Sequence, residues 1–453
     1  MDWYGYLELN YERYSVISFF HSTAIEQTTL GSLMHRAMSL FLAVVASSAV
    51  IGCGGGSGGS APAASAPAPI ASAAPAPTSS PTTAPPVDPV TGTEGLGTSV
   101  VGADLSEGFP QDTVVKDGLV VKDWLGAAWG SGAIPPSNAP DVVGAFRLIC
   151  APSHLSYNDP LVNPGQPGKS HLHQFFGNDK ADAFSTYKSL RTSGNSTCGD
   201  MMNRSAYWMP AMLNARGQVV QPDYATVYYK RRPDSDPDCR MGKGCIGLPR
   251  GLRYIFGRTH TGGAYANGRT DGIHFTCETK GGSYTSFSEA AAICPTPDRL
   301  GVQIAAPECW NGRELDSPDH RSHMSYTIYD NGKEMCPATH PYRTPTFNFV
   351  VWYTTDDTLD RSGNTGYNPK QWYFDSDRMP GAPPMASGST VHADWFGAWN
   401  DDVLSRWLNG CVNRFLNCSG GDLGDGLQLK GASQPSYGWT NPNRLVPIPP
   451  RPS

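Results

Sequence analysis

The chain is poor in charge and lacks the sequence signatures of the best-known chemistries. Only 16% of its 453 residues are Asp, Glu, Lys or Arg, and the formal net charge is −6. Clusters of Lys and Arg are few, which argues against a nucleic-acid partner. There is no C-x-x-C pair, so the commonest cysteine–zinc and dithiol-redox patterns are missing. No H-E-x-x-H, P-loop or credible dinucleotide fingerprint occurs either. One G-x-S-x-G match, Gly55 to Gly59, falls in a low-complexity run without strand–turn–helix context and carries no nucleophile. Beyond residue 53 no apolar run is long enough to cross a bilayer. Helix-like periodicity is scarce as well.

What is present begins at the N-terminus. From Met34 the chain reads "MHRAMSLFLAVVASSAVIGC", a short basic start, an apolar stretch and small residues before Cys53. This is the pattern of an export signal, and Val50-Ile51-Gly52-Cys53 resembles a bacterial lipobox, in which the cysteine is lipidated. The expected organisation is an upstream extension over 1–33 and a lipoprotein signal peptide over 34–52. Cys53 would then be the lipid-bearing residue, heading a Pro/Ala/Ser/Gly tether over 53–101. Such a tether has too little apolar surface to offset its ordering entropy. A globular domain over 102–453 follows, placed by this reading in the bacterial cell envelope as a lipid-anchored, extracytoplasmic protein.

Cysteine usage agrees. Of eleven cysteines, ten remain after Cys53, an even number that reads as up to five disulfides in an oxidising compartment. Cys239/Cys245 and Cys411/Cys418 are near enough in sequence for small loops. Cys277/Cys294 and Cys309/Cys336 are plausible neighbours, leaving Cys150/Cys198. Sequence alone does not fix this connectivity.

The strongest periodic signals are short and β-like: "ATVYYKRR" (225–232), "RYIFG" (253–257), "GIHFTCET" (272–279), "SYTIYDNGK" (325–333) and "FNFVVWYTT" (347–355). Asp330-Asn331-Gly332 is a hairpin turn. "NDDVLSRWLNGC" (400–411) has a capping Asn and an apolar stripe of Val403, Leu404, Trp407, Leu408 and Cys411, and "SEAAAIC" (288–294) is a shorter helix. With 50 Gly and 39 Pro besides, the expected fold is mainly β. It is a loop-rich, disulfide-braced β-sandwich, jelly-roll-like, with one or two short helices.

Candidate chemistry lies in the histidines. In "SHLHQFFGN" His171 and His173 sit two apart, so in an extended strand they share a face. "LDSPDHRSHMSY" carries Asp319, His320, Arg321 and His323, "CPATHPYR" carries His340 and Arg343, and "HADWF" carries His392, Asp394 and Trp395. Neutral imidazoles ligate metals, and a carboxylate on the second nitrogen fixes the tautomer. A His-x-His pair with a third histidine satisfies a zinc site with an open position, so His171, His173 and His323 are metal candidates and a divalent metal is one admissible cofactor. His and Asp in loop-rich folds also satisfy buried backbone groups, and that reading stands beside the first. Aromatic pairs, Trp395 among them, could stack on sugars or fill the core. Glu314 with Asp316 or Asp319 is a possible carboxylate pair for glycoside hydrolysis.

Five motifs in order, "DPLVNPGQPGKSHLHQFFGN", "YWMPAML", "LDSPDHRSHMSY", "CPATHPYRTPTFNFVVWY" and "HADWFGAWNDDVLSRWLNGC", resemble the domain of unknown function 1996 family of secreted bacterial and fungal proteins. The resemblance covers about 145–418. It implies an extracytoplasmic domain, in some fungal members attached to a carbohydrate-binding module, and supplies no reaction. The leading expectation is a surface lipoprotein that binds or cleaves an extracellular polysaccharide by hydrolase or lyase chemistry. In that reading His171, His173, Asp319, His320, His323, His392 and Asp394 are catalytic candidates, with His340, Arg321, Arg343 and Trp395 as ligand contacts. A non-catalytic envelope or adhesion protein, and a metal-binding or metallohydrolase domain, are the alternatives.

Overall fold

The computed structural model describes residues 110–128, 134, 143–240, 244–258, 272–431 and 434–452. The expected upstream extension, signal peptide, Cys53 and tether lie outside the described residues.

Two sheets carry the domain. In chain order their strands are Gly144–Cys150 (β1), Pro152–Ser156 (β2), His173–Gly177 (β3), Ala206–Pro210 (β4), Tyr224–Arg231 (β5), Arg253–Gly257 (β6), Ile273–Cys277 (β7), Gly281–Tyr284 (β8), Arg299–Ala305 (β9), Thr346–Thr354 (β10), His392–Phe396 (β11) and Asn417–Cys418 (β12). The larger sheet runs β8-β7-β9-β10-β5-β1-β12, the smaller β2-β3-β4-β11-β6. Only the β1–β12 pair is parallel among these. The five β-like stretches seen in the sequence fall on β5, β6, β7, β10 and a hairpin of Ile328–Asp330 with Lys333–Met335. At that hairpin Asn331 and Gly332 both have positive φ, 49° and 77°, the conformation a two-residue I′ turn requires.

Alternation along the strands builds the sandwich. Phe347, Phe349, Val351 and Tyr353 of β10 are fully buried, as are Ala225, Val227 and Tyr229 of β5. They meet Phe176, Tyr207, Tyr254, Phe256 and Trp395 from the smaller sheet. The Phe347 ring lies 5.2 Å from Phe256 and 5.4 Å from Trp395, and Phe349 lies 5.3 Å from Phe176. Two packed aromatic faces of this kind are the main apolar payload of the fold.

The outer face of the smaller sheet is covered too. Phe175, Trp208 and Phe396 pack there with Leu161, Ala181, Tyr187 and Leu190. These belong to the 157–190 segment and a helix, Tyr187–Thr192, closed by a capping box between Thr186 and Ser189. Hence β3, β4 and β11 are buried along their whole length, as strands covered on both faces are.

All five expected disulfides are present: Cys150–Cys198, Cys239–Cys245, Cys277–Cys294, Cys309–Cys336 and Cys411–Cys418. The two expected helices appear as Phe287–Ile293 and Asp401–Trp407, the latter capped by Asn400, whose side chain accepts from the amides of Asp402 and Val403. Leu408–Val412 continues it as a π-helical turn rather than an α-helix. Gly410 there lies so close to Leu423 that an added Cβ would stand 2.0 Å from its carbonyl oxygen. Short helices at Tyr187–Thr192 and Val121–Trp124 complete the described set. No helix among the described residues is long and apolar enough to cross a membrane.

Candidate functional site

Three histidines converge at one end of the outer face of the smaller sheet. Their placement starts with Leu172. Its amide donates to Asp375 Oδ2 at 2.6 Å, and its carbonyl accepts from the Ala211 amide. Its side chain is buried with Tyr157, Ala211, Leu213 and Val219, so His171 and His173 turn together to the opposite side, as the two-residue period requires. Across β4, Asp394 is level with Trp208, and Trp208 with Phe175. Two residues along, His392 is therefore in the row of Pro210 and His173. Its neighbour on β6 is Gly257, at φ +96°, where a Cβ would press to 3.0 Å from the His392 Cα; only glycine gives this conformation and approach without strain. Ring centroids are 4.1 Å apart for His171 and His173, 5.2 Å for His171 and His392, and 6.4 Å for His173 and His392. The candidate ligand atoms of the three all lie within 4.8 Å of one another.

Two of the rings are oriented by backbone carbonyls. His173 Nδ1 is 3.1 Å from the Asn158 carbonyl, and His392 Nδ1 is 2.8 Å from that of Thr390. A carbonyl only accepts, so Nδ1 carries the proton and Nε2 keeps its lone pair. His173 Nε2 is buried without a hydrogen-bond partner. Burial pushes the His173 pKa down against the pull of Asp159 and the Asn158 carbonyl, so the ring is neutral. Asp394, two residues after His392 on the same face, is buried with neither carboxyl oxygen hydrogen-bonded. Its Oδ2 is 3.8 Å from His392 Nε2, too long for a hydrogen bond. Burial, with Asp159 adding to it and Arg321 opposing, raises the Asp394 pKa well above the usual carboxylate range.

The segment 315–323 lies along the outer margin of β6. Arg253 and Ile255 donate their amides to the carbonyls of Leu315 and His320, His323 Nε2 meets the Arg253 carbonyl at 3.0 Å, and Arg321 donates to that of Gly257. His320 sits there in the left-handed region at φ 57°, with Nδ1 2.8 Å from Asp316 Oδ1. The Asp316 bond raises its pKa.

The remaining sequence candidates are braces. His323, expected as a metal ligand with His171 and His173, has both nitrogens engaged, Nδ1 by Ser317 and Nε2 by the Arg253 carbonyl; His392 takes its place in the cluster. His340 is likewise spent on Thr339 and the Ser322 carbonyl. Asp319 accepts from Ser317, Ser322 and the amides of Arg321 and Ser322. Although burial opposes them, these bonds hold its carboxyl below the usual range, so it organises its loop and is no proton acceptor. Trp395 is fully buried in the sandwich against Tyr254 and Phe347, which removes it as a sugar platform. Arg343 pairs at long range with Glu334 and aligns its strand beside Cys309. Glu314 bonds Asn311, while Asp316 holds Arg253 and His320, so neither waits free for a carboxylate pair.

One residue was missed. Asp159 is buried, its Oδ1 caps the amides of Leu161 and Val162, and its charge reaches His173, His320 and Asp394. The available signal was its place at the head of the Asp-Pro, Gly/Pro-rich run that leads into the His-x-His pair.

The sequence model of the family described as Domain of unknown function (DUF1996) matches residues 159–399, a span that runs from Asp159 through Asp394. No curated protein and no solved structure gives a significant match.

Proposed function

The chain belongs to the DUF1996 family, and we propose that it is an exported, lipid-anchored protein whose His171–His173–His392–Asp394 centre performs hydrolase- or lyase-type chemistry on an extracellular polysaccharide. One observation carries the reading. The Asp394 carboxyl oxygens and His173 Nε2 are each buried with no hydrogen-bond partner. Orphaned buried polar groups cost about 1–3 kcal/mol each, and a purely structural cluster would satisfy them. Five disulfides support an oxidising, exported setting. Recognition falls to the polar rim of Arg321, His320 and Asp316, since Trp395, the sugar contact named from the sequence, is core. A polymer rich in hydroxyl and carboxylate groups fits such a rim.

The test is a screen of the purified domain against a panel of neutral and acidic polysaccharides, repeated with Asp394→Asn. Turnover by the parent that disappears in a variant of unchanged thermal stability supports the assignment. Full turnover in the folded variant removes the centre from the chemistry. The non-catalytic reading draws on His154, His323 and His340, each bonded through both ring nitrogens, and it gains if no glycan is bound or turned over.

A further inference from the structure

We infer that His171, His173 and His392 form a site for one divalent transition-metal ion of the zinc type, with Asp394 adjoining it at His392. This deepens the reading above and shares with it only the identity of the centre.

The donor set points to such an ion. Three imidazoles suit a borderline cation, whereas calcium demands six to eight oxygens and magnesium keeps a shell of water and carboxylates. Thiolate-seeking ions have no ligand here, because all ten cysteines of the domain are in disulfides.

Orientation points the same way. Metal-bound histidines commonly donate their second N–H to a carbonyl or carboxylate. The Asn158 and Thr390 carbonyls hold the Nδ1 atoms of His173 and His392 in that manner, leaving Nε2 as the ligand atom. Asp394 follows His392 by two residues on β11 and so lies on the same face. Its two oxygens are buried without a hydrogen-bond partner, and Oδ2 is 3.8 Å from His392 Nε2. Two nitrogens each about 2.1 Å from one zinc are at most about 4.2 Å apart. The present spread of up to 4.8 Å therefore closes by small ring rotations.

The cluster is also distinguishable from its neighbour. His323 is as buried as His173, but its two nitrogens are occupied by Ser317 and Arg253. It is outside the site and serves as an internal control.

The experiment uses the secreted chain with its disulfides formed and any affinity tag removed. It is stripped with EDTA and titrated calorimetrically with zinc chloride, then separately with calcium and magnesium. One zinc per chain, a thermal midpoint raised by zinc and returned by EDTA, and no response to calcium or magnesium are expected. In His173→Asn the dissociation constant should rise by more than the roughly 10–100-fold that loss of a mere orienting partner costs. His323→Asn should keep parent affinity. A folded parent that takes up no zinc overturns the inference, and so does stoichiometric parent-like binding by a His171→Ala/His173→Ala double variant. The two readings fail separately. Polysaccharide turnover that survives complete chelation sinks the metal alone, and stoichiometric zinc without turnover sinks the glycan chemistry alone.

Discussion

His173 and His323 are both fully buried imidazoles on or beside the same sheet, and they do opposite things. His323 gives one nitrogen to Ser317 and the other to the Arg253 carbonyl, so it ties a loop to the margin of β6. His173 gives one nitrogen to Asn158 and keeps the other, unbonded, in the cluster with His171 and His392. Burial is therefore a poor guide to role. What separates the brace from the reactive group is how many of its donor and acceptor positions the fold has already used.

The strongest test of that contrast contrasts two neighbours on β11. Trp395 faces inward against Tyr254 and Phe347, whereas Asp394 faces outward into the histidine cluster. Trp395→Ala should cost about 3–5 kcal/mol in a denaturant midpoint. Asp394→Asn, nearly isosteric with a buried carboxyl whose pKa burial raises, should leave that midpoint nearly unchanged when metal is absent.

Acid comes next. Burial brings the His323 pKa from 6.5 down to about 4, so the folded state refuses a proton that the unfolded chain accepts. The stability this neutral ring contributes is complete above pH 6.5 and drains as pH falls toward 4. Over that window the parent should lose about 3 kcal/mol more than His323→Asn does, read from paired urea melts. Parallel pH profiles would sink the assignment.

One substitution at two positions follows. Asn can reproduce the Nδ1 bond, donating as at His173 or accepting as at His323, but reaches no second partner at the far nitrogen. His323→Asn at neutral pH should thus cost about 1–3 kcal/mol, the penalty of stranding the Arg253 carbonyl. His173→Asn, which keeps the bond to Asn158, should cost less than about 1 kcal/mol while the function of the centre is lost. The smallest effect is expected from the exposed Arg216–Asp357 pair at 2.9 Å. Arg216→Ala should move stability by less than about 1 kcal/mol and the centre not at all.

How much of this could be read from the chain depends on the range of the interaction involved. Alternation in "FNFVVWYTT" fixes which side of β10 enters the core, and "DNG" fixes its turn, because both act within a few residues. The disulfides join cysteines 6 to 48 residues apart, so proximity in sequence finds them. That His171 and His173 share a face was equally legible. His392 was among the catalytic candidates, but which histidine completes the trio was not legible, and His323 was expected there. His392 reaches them through β4, between β3 and β11, and no local pattern reports that register. The same blindness applies to the tryptophans, whose burial depends on a second covering layer over the outer face. The helix Tyr187–Thr192 was missed because its capping box uses Ser189 in place of the usual Glu or Gln.

The segment 315–323 has a consequence beyond the centre it borders. A bare outer strand offers a row of amides and carbonyls on which other chains can add, the usual beginning of edge-to-edge aggregation. On β6 that row is occupied by Leu315, His320, Arg321 and His323 of the same molecule. The loop that brings His320 and Arg321 to the rim thereby also seals the sheet, and lesions within it should lower solubility as well as function.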